Sequence, residues 1–274
     1  MTLTVSEIVH PTAVIDAEAE IAPDVQIGPY AIIEGTVRIG PGCVIEGHAC
    51  LSGPLTMGRD NHVGHGAVIG KSPQHKGYRG EPTSVRIGDG NVFREHVTIH
   101  RGTVLGNAVT WIGDRNLLMV GTHLGHDVRV GNDCTLVNGA LVAGHVQLHD
   151  GCILSGHTAL QQWVRVGRLA MLGGLGSSSK DIPPFVLQQG YNCVSGLNVV
   201  GLRRAGFSHQ TIAAIREAYR ILYKEGRVQN TALDRIEADL GSVPEVIEFV
   251  AFIRETTIGI SPARTSDHRQ RRTF

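Results

Sequence analysis

The sequence predicts an all-β plus α protein, a parallel β-helix of hexapeptide repeats followed by a C-terminal α-helical domain. Three observations predict it. An aliphatic residue falls on every sixth position for most of the chain, the beat shifts register by one residue near its middle, and it gives way to helical spacing from Ser208.

The first run steps from Val9 through Ile15, Ile21, Ile27, Ile33, Ile39, Ile45, Leu51, Met57, Val63 and Ile69, then resumes at Ile87, Phe93 and Ile99. The second run steps from Ile112 through Leu118, Leu124, Val130, Leu136, Val142, Leu148, Leu154, Leu160 and Val166 to Leu172. Two positions before each lies a smaller residue, such as Ala31, Cys43, Ala140 or Cys152. A period of six fits neither a helix nor a simple strand. It fits a short strand plus a turn, three to a coil, so one coil takes about 18 residues and coils stack at roughly 4.8 Å. Glycines such as Gly28, Gly40, Gly58, Gly113, Gly131 and Gly167 are expected to ease the corners.

Two interruptions read as loops. In-phase positions His75 and Glu81 do not belong in an apolar core, so residues 71–84 leave the prism, and 101–110 hold the extra residue that shifts register. Loops on a solenoid are natural places for function. The prism is assigned to residues 1–190, a helical domain to 191–260 and a disordered tail to 261–274. Within the helical domain, Ser208 opens one helix that closes at Gly226, Thr231–Leu240 forms a second, and Ser242-Val-Pro-Glu245 has capping-box spacing for a third.

Composition narrows the function. Lys plus Arg (25) balance Asp plus Glu (25), which gives no electrostatic footprint for nucleic acid. No apolar run approaches the roughly 20 residues of a membrane span, and none reads as a signal peptide. Five cysteines without a C-x-x-C suit core packing in a reduced, cytoplasmic protein. Gly70-Lys71-Ser72 lacks the upstream glycine of a P-loop, and no G-x-S-x-G occurs.

Histidine, at 14 residues, is the unusual feature. His123 and His126-Asp127 are followed by Gly144-His145 and Gln161-Gln162, and His126, Gly144 and Gln162 lie 18 residues apart, in one column of neighbouring coils. A general base beside an unshielded backbone N–H is the minimum equipment of acyl transfer, and Asp127 is placed to orient the ring. A zinc site like that of the γ-class carbonic anhydrases needs an H-x4-H pair, which is absent, so no metal is expected.

His10-Pro11-Thr12, Gly80-Glu81-Pro82-Thr83, Thr98-Ile99-His100-Arg101-Gly102-Thr103, Asn116-Leu117-Leu118-Met119, the His123/His126-Asp127 cluster, Ala143-Gly144-His145 and Gly201-Leu202-Arg203-Arg204 resemble the acyl-carrier-protein–UDP-N-acetylglucosamine O-acyltransferases that begin lipid A synthesis. The resemblance runs from about residue 8 to residue 255. It implies a left-handed β-helix, against the usual crossover rule, a homotrimer with active sites between subunits, and no cofactor. It implies His126 as general base, Asp127 as its partner and the Gly144 N–H as oxyanion donor. Gln74, His123, His145, Gln162, Asn198 and Arg204 would hold the sugar nucleotide, and Gly174 would gauge acyl length, with a glycine admitting a longer chain.

Five positions depart from the family pattern. His75 stands where a carboxylate is expected, Gly77 for a lysine, Gln161 for a histidine, Val200 for a glutamate and Ala205 for an arginine. His75 and Gln161 nevertheless sit among the substrate-binding positions. The expected activity is transfer of a 3-hydroxyacyl chain from acyl carrier protein to a UDP-N-acetylglucosamine-type sugar. Its alternatives are a paralogue acting on a 3-amino sugar nucleotide or using an acyl-CoA donor, and a trimeric scaffold whose site has decayed. Arg203, Arg204, Arg216, Arg220 and Lys224 are expected to meet the acidic carrier protein from the first C-terminal helix, although such residues also suit a solvated face.

Overall fold

A computed structural model describes residues 8–263. Short strands, one per side per coil, wind into a three-sided parallel β-helix whose faces are sheets of nine, eight and ten strands among the described residues. Registry follows the 18-residue step, with Leu124 paired to Val142 and Val142 to Leu160. These inward aliphatics are buried, as is the smaller column two positions earlier (Ala31, Val37, Ala49, Val128, Ala140). Large side chains at both positions would overfill a triangular section, so one column must stay small.

Where the small column carries asparagine, the amides bond along it. Asn61, Asn91 and Asn116 stack within the prism. The Asn91 Nδ2 donates to Asn61 Oδ1 at 2.9 Å and the Asn116 Nδ2 to Asn91 Oδ1 at 3.0 Å, and each Oδ1 also accepts a backbone N–H of the next coil. Satisfied amides are tolerated in a core that would exclude lone ones. The Cys134 and Cys152 thiols continue this column, buried and unbridged, with sulfurs 3.6 Å apart.

The glycines serve a different purpose from the one expected. At Gly40 a Cβ would meet the Gly58 carbonyl carbon at 2.7 Å, and at Gly28 the Gly47 nitrogen at 2.6 Å, so these positions let successive coils touch. The left-handed corner conformation falls further on, at residues such as Tyr30, His48, Asp133 and Leu169.

Strands Val68–Lys71 and Ser84–Ile87 frame the first loop, and Thr98–His100 and Val109–Ile112 the second, so each is shorter than the expected 71–84 and 101–110. The expected boundary at 190 falls inside a strand pair: Val186–Gln188 runs antiparallel to Val194–Leu197. Helices follow at α1 (Val199–Arg204), α2 (His209–Lys224), α3 (Gln229–Leu240) and α4 (Pro244–Arg254). Ser208 caps α2 by accepting from the Thr211 N–H. Ser242 caps nothing, because α4 starts from Val243 with a proline in its first turn, and proline brings no N–H to satisfy. The helix α1, absent from the sequence reading, is a short turn capped by Asn198. Arg203 and Arg204 therefore belong to α1, while Arg216, Arg220 and Lys224 belong to α2.

The helices are fastened to the prism through buried charge. Asp181 accepts two bonds from the Arg165 guanidinium (2.9 and 3.0 Å) and one from Thr256 Oγ1, and Arg165 also donates to the Phe252 carbonyl. The expected tail starts too early: Ser261 is fully buried and Ala263 bridges to Val194. Residues 264–274 of that stretch lie outside the described residues. At the other end the first coil leaves Val9 and Ile15 partly exposed.

Candidate active site

The strand His123–Leu124 leads into a corner where Gly125, His126 and Asp127 are all buried. Asp127 holds the corner with a left-handed φ of 61°, a conformation in which Asp is among the more tolerated residues. Its N–H donates to Thr110 Oγ1 at 2.9 Å. Its carboxylate is bound from the second loop by the Thr103 N–H (3.0 and 3.1 Å) and Oγ1 (2.7 Å). That carboxylate meets His126 Nδ1 at 2.9 Å. An ionised Asp127 only accepts, so the Nδ1 carries the proton and Nε2 keeps its lone pair.

One coil on, Gly144 faces the ring closely. A Cβ there would stand 2.6 Å from His126 Cε1 and 2.8 Å from Nε2. The Gly144 N–H donates to no protein acceptor among the described residues. A cavity of about 270 Å³ opens here, lined by Gln74, His100, His123, His126, Gly144 and Gln162 among others. The column drawn from the 18-residue step thus holds.

Other imidazoles surround the pair. His75 in the first loop lies 5.4 Å from the His126 ring, and His145 lies 5.0 Å away, stacked at 3.8 Å on Trp163. His123 Nδ1 bonds Thr98 Oγ1 at 2.8 Å. Burial lowers the pKa of His123 and His145. His100 is lowered to about 4, by burial first and then by His123 and His126. The site is therefore rich in neutral imidazoles.

His126, Asp127 and His145 bring ligand-type atoms within 4.8 Å of one another. The Asp127 oxygen central to that group already accepts from Thr103 and His126, so its bonding capacity serves ring orientation.

The remaining expected residues divide. Asn198 and Arg204 line a second cavity with Ile153, Met171, Leu187 and Val200, on a different sheet of the prism. Within it the Asn198 side chain accepts from the Gly201 N–H and donates to the Leu169 carbonyl. Gln161 and Gly174 are exposed and line neither cavity. Sequence reasoning missed Thr103, Thr110, His100 and Trp163. Thr103 and His100 belong to the Thr98-Ile99-His100-Arg101-Gly102-Thr103 motif, and the shift of register near Thr103 is the signal that this segment departs from the core.

Fold and site define a hexapeptide-repeat transferase with a histidine–carboxylate centre. Residues 18–53 match the bacterial transferase hexapeptide (six repeats) family, and residues 181–261 match domain 2 of UDP N-acetylglucosamine O-acyltransferase. A curated relative, the acyl-[acyl-carrier-protein]–UDP-N-acetylglucosamine O-acyltransferase of Stutzerimonas stutzeri, is 43% identical over 93% of this chain and 99% of its own. Among solved structures, the UDP-N-acetylglucosamine acyltransferase of Francisella novicida aligns with a TM-score of 0.91 at 32% identity, over 95% of both chains. That of Bacteroides fragilis aligns with a TM-score of 0.89 at 40% identity, over 92% of this chain and 99% of its own. The chain belongs to the UDP-N-acetylglucosamine O-acyltransferase family, and its β-helix is left-handed.

Proposed function

We propose that this protein transfers a 3-hydroxyacyl chain from acyl carrier protein to the 3-position of a UDP-N-acetylglucosamine-type sugar nucleotide. The observation that carries the assignment is the buried His126–Asp127 pair set against the side-chain-free N–H of Gly144. His126 Nε2 takes the proton of the sugar hydroxyl as its oxygen attacks the thioester carbonyl. The Gly144 N–H donates to the oxyanion that forms. Collapse expels the carrier thiolate, which recovers the proton from the imidazolium. Asp127 holds the ring and balances its transient charge. A thioester is already activated, so the scheme requires no metal or cofactor and no covalent enzyme intermediate.

Gln74, His123, His145 and Gln162 are assigned to the sugar, with His75 and Gln161 at its edge, Asn198 and Arg204 to the nucleotide, and Gly174 to acyl length. Because the Asn198–Arg204 cavity opens on a different sheet from His126, one chain does not bring both to one ligand. A homotrimer with sites between subunits would. Among the described residues no helix is long and apolar enough to cross a membrane, and we place the reaction in the bacterial cytoplasm.

His126→Ala abolishes transfer while the melting temperature and assembly state stay those of the parent; undiminished transfer refutes the assignment. The second reading is a 3-amino acceptor, favoured by the imidazole of His75 facing the base where the family has a carboxylate. Thermal shifts with UDP-N-acetylglucosamine, its 3-amino analogue and CoA separate these readings. Response to the 3-amino analogue alone selects that acceptor, response to CoA selects the CoA donor, and no response with no transfer selects a decayed scaffold.

A further inference from the structure

The outward row of one prism face carries charge that the proposed chemistry does not use. Pairing places Arg86 beside Trp111, Trp111 beside Arg129, and Arg129 beside Gln147 on successive strands. Further along the same row, Arg38 is paired to Glu20, and Arg165 to Asp181 and Glu255. Arg86 and Arg129 differ: both are exposed, and neither meets a carboxylate within ion-pair distance among the described residues. Trp111 between them is 41% exposed, a large ring left in water.

These side chains line a cavity of about 550 Å³ between this face and α4. The acids at its rim are already engaged. Glu248 is bound through both oxygens by Arg168, and Asp150 Oδ1 accepts the Asn132 N–H. The row therefore presents two free guanidinium groups around one aromatic. Exposed Trp and Arg are the residue types that dominate protein–protein recognition.

Its position relative to His126 is the second argument. Arg129 follows His126 by three residues, so their Cα atoms are at most about 11 Å apart along the chain. Trp111 and Arg86 lie one and two strands further, at roughly 4.8 Å per strand. The row lies on the face reached immediately beyond the catalytic corner. A donor that delivers its thioester on a flexible arm must dock within an arm's length of that corner. On α2, Arg220 is tied to Glu217 and Glu225, while Arg216 and Lys224 meet no carboxylate within ion-pair distance among the described residues.

We propose that Arg86, Trp111 and Arg129 form the docking surface for the acidic acyl carrier protein. This rests on the reading of the chain as a carrier-dependent acyltransferase. The two guanidinium groups meet carboxylates of the carrier and Trp111 packs against the apolar side of the same helix.

The test compares two donors on one intact enzyme: acyl carrier protein and the same acyl group on pantetheine alone. Arg86→Glu/Arg129→Glu is expected to lower kcat/KM for the protein donor roughly tenfold or more, because facing like charges are strongly repelled. The same variant leaves kcat/KM for acyl-pantetheine and KM for the sugar nucleotide unchanged. Trp111→Ala gives the same selective loss, and added salt shrinks the difference between parent and charge-reversed enzyme. Equal loss with both donors, or no loss with either, overturns the proposal. A change in assembly state of the variant also overturns it and assigns the face to contact between copies of this chain. If the parent transfers from neither donor, the functional reading itself fails, a result distinct from these.

Discussion

Replacing Gly144 by alanine tests the proposed catalytic geometry without removing the proposed oxyanion donor, since alanine keeps the backbone N–H. The added methyl would stand 2.6 Å from His126 Cε1, against 3.4 Å for ordinary contact. The ring must therefore yield about 0.8 Å, and its bond to Asp127 resists because Thr103 fixes that carboxylate. A displacement of this size at a reacting group costs on the order of 10²-fold in rate. Gly144 does not use a left-handed φ, so alanine brings no backbone strain. The expected result is a kcat reduced about 100-fold at saturating sugar nucleotide, with the melting temperature near that of the parent. Activity within a factor of two of the parent would refute the close approach of Gly144 to the base.

Three further outcomes follow from the same geometry. Thr103→Val removes the 2.7 Å donor to Asp127; hydrogen bonds to charged groups contribute about 1.5–3 kcal/mol, so kcat falls by roughly a factor of ten or more, and an unchanged kcat counts against Asp127 as the orienting group. His100 has its pKa lowered from 6.5 to about 4 in the fold, so the unfolded chain binds the extra proton between those values. Its contribution to stability is complete above pH 6.5 and is lost as pH falls toward 4. His100→Gln should flatten the melting temperature against pH in that window, and an identical slope counts against the effect. Asp181→Ala strands the mostly buried Arg165 and should cost about 3–5 kcal/mol, read as a lowered denaturation midpoint; loss below about 1 kcal/mol shows that the charge network does not fasten the helices.

The prism was legible because a solenoid repeats one physical problem in every coil. The inward aliphatic must recur, so the strands, their pairing and the stacking of Gly144 on His126 could be counted from the chain. The C-terminal end was less legible. The helix α1 spans only six residues and leans on its Asn198 cap, so hydrophobic spacing had too few turns to register. Ser242 and Glu245 have capping-box spacing, yet Pro244 sets the start of α4 from Val243. The support of the site was hidden for another reason. Thr103 reaches Asp127 across 24 residues and an irregular loop, a distance the six-residue beat cannot measure. The split of Asn198 and Arg204 from the histidines was invisible because a family motif gives positions along a chain and not the sheet to which each belongs.

The stacked amides have a consequence for how such a protein can change. From Asn61 to Asn91 the chain advances 30 residues, and from Asn91 to Asn116 it advances 25, against 18 for an uninterrupted coil. The two rungs thus bracket both loops. Each Oδ1 accepts from the next rung regardless of how much chain intervenes, so the turns of the solenoid are indexed to one another by the ladder. Loop length is thereby uncoupled from alignment. The segments carrying His75 and Thr103 can be lengthened, shortened or exchanged while the coils above and below remain in step, and the chemistry at the corner can be revised without redesigning the rod that holds it.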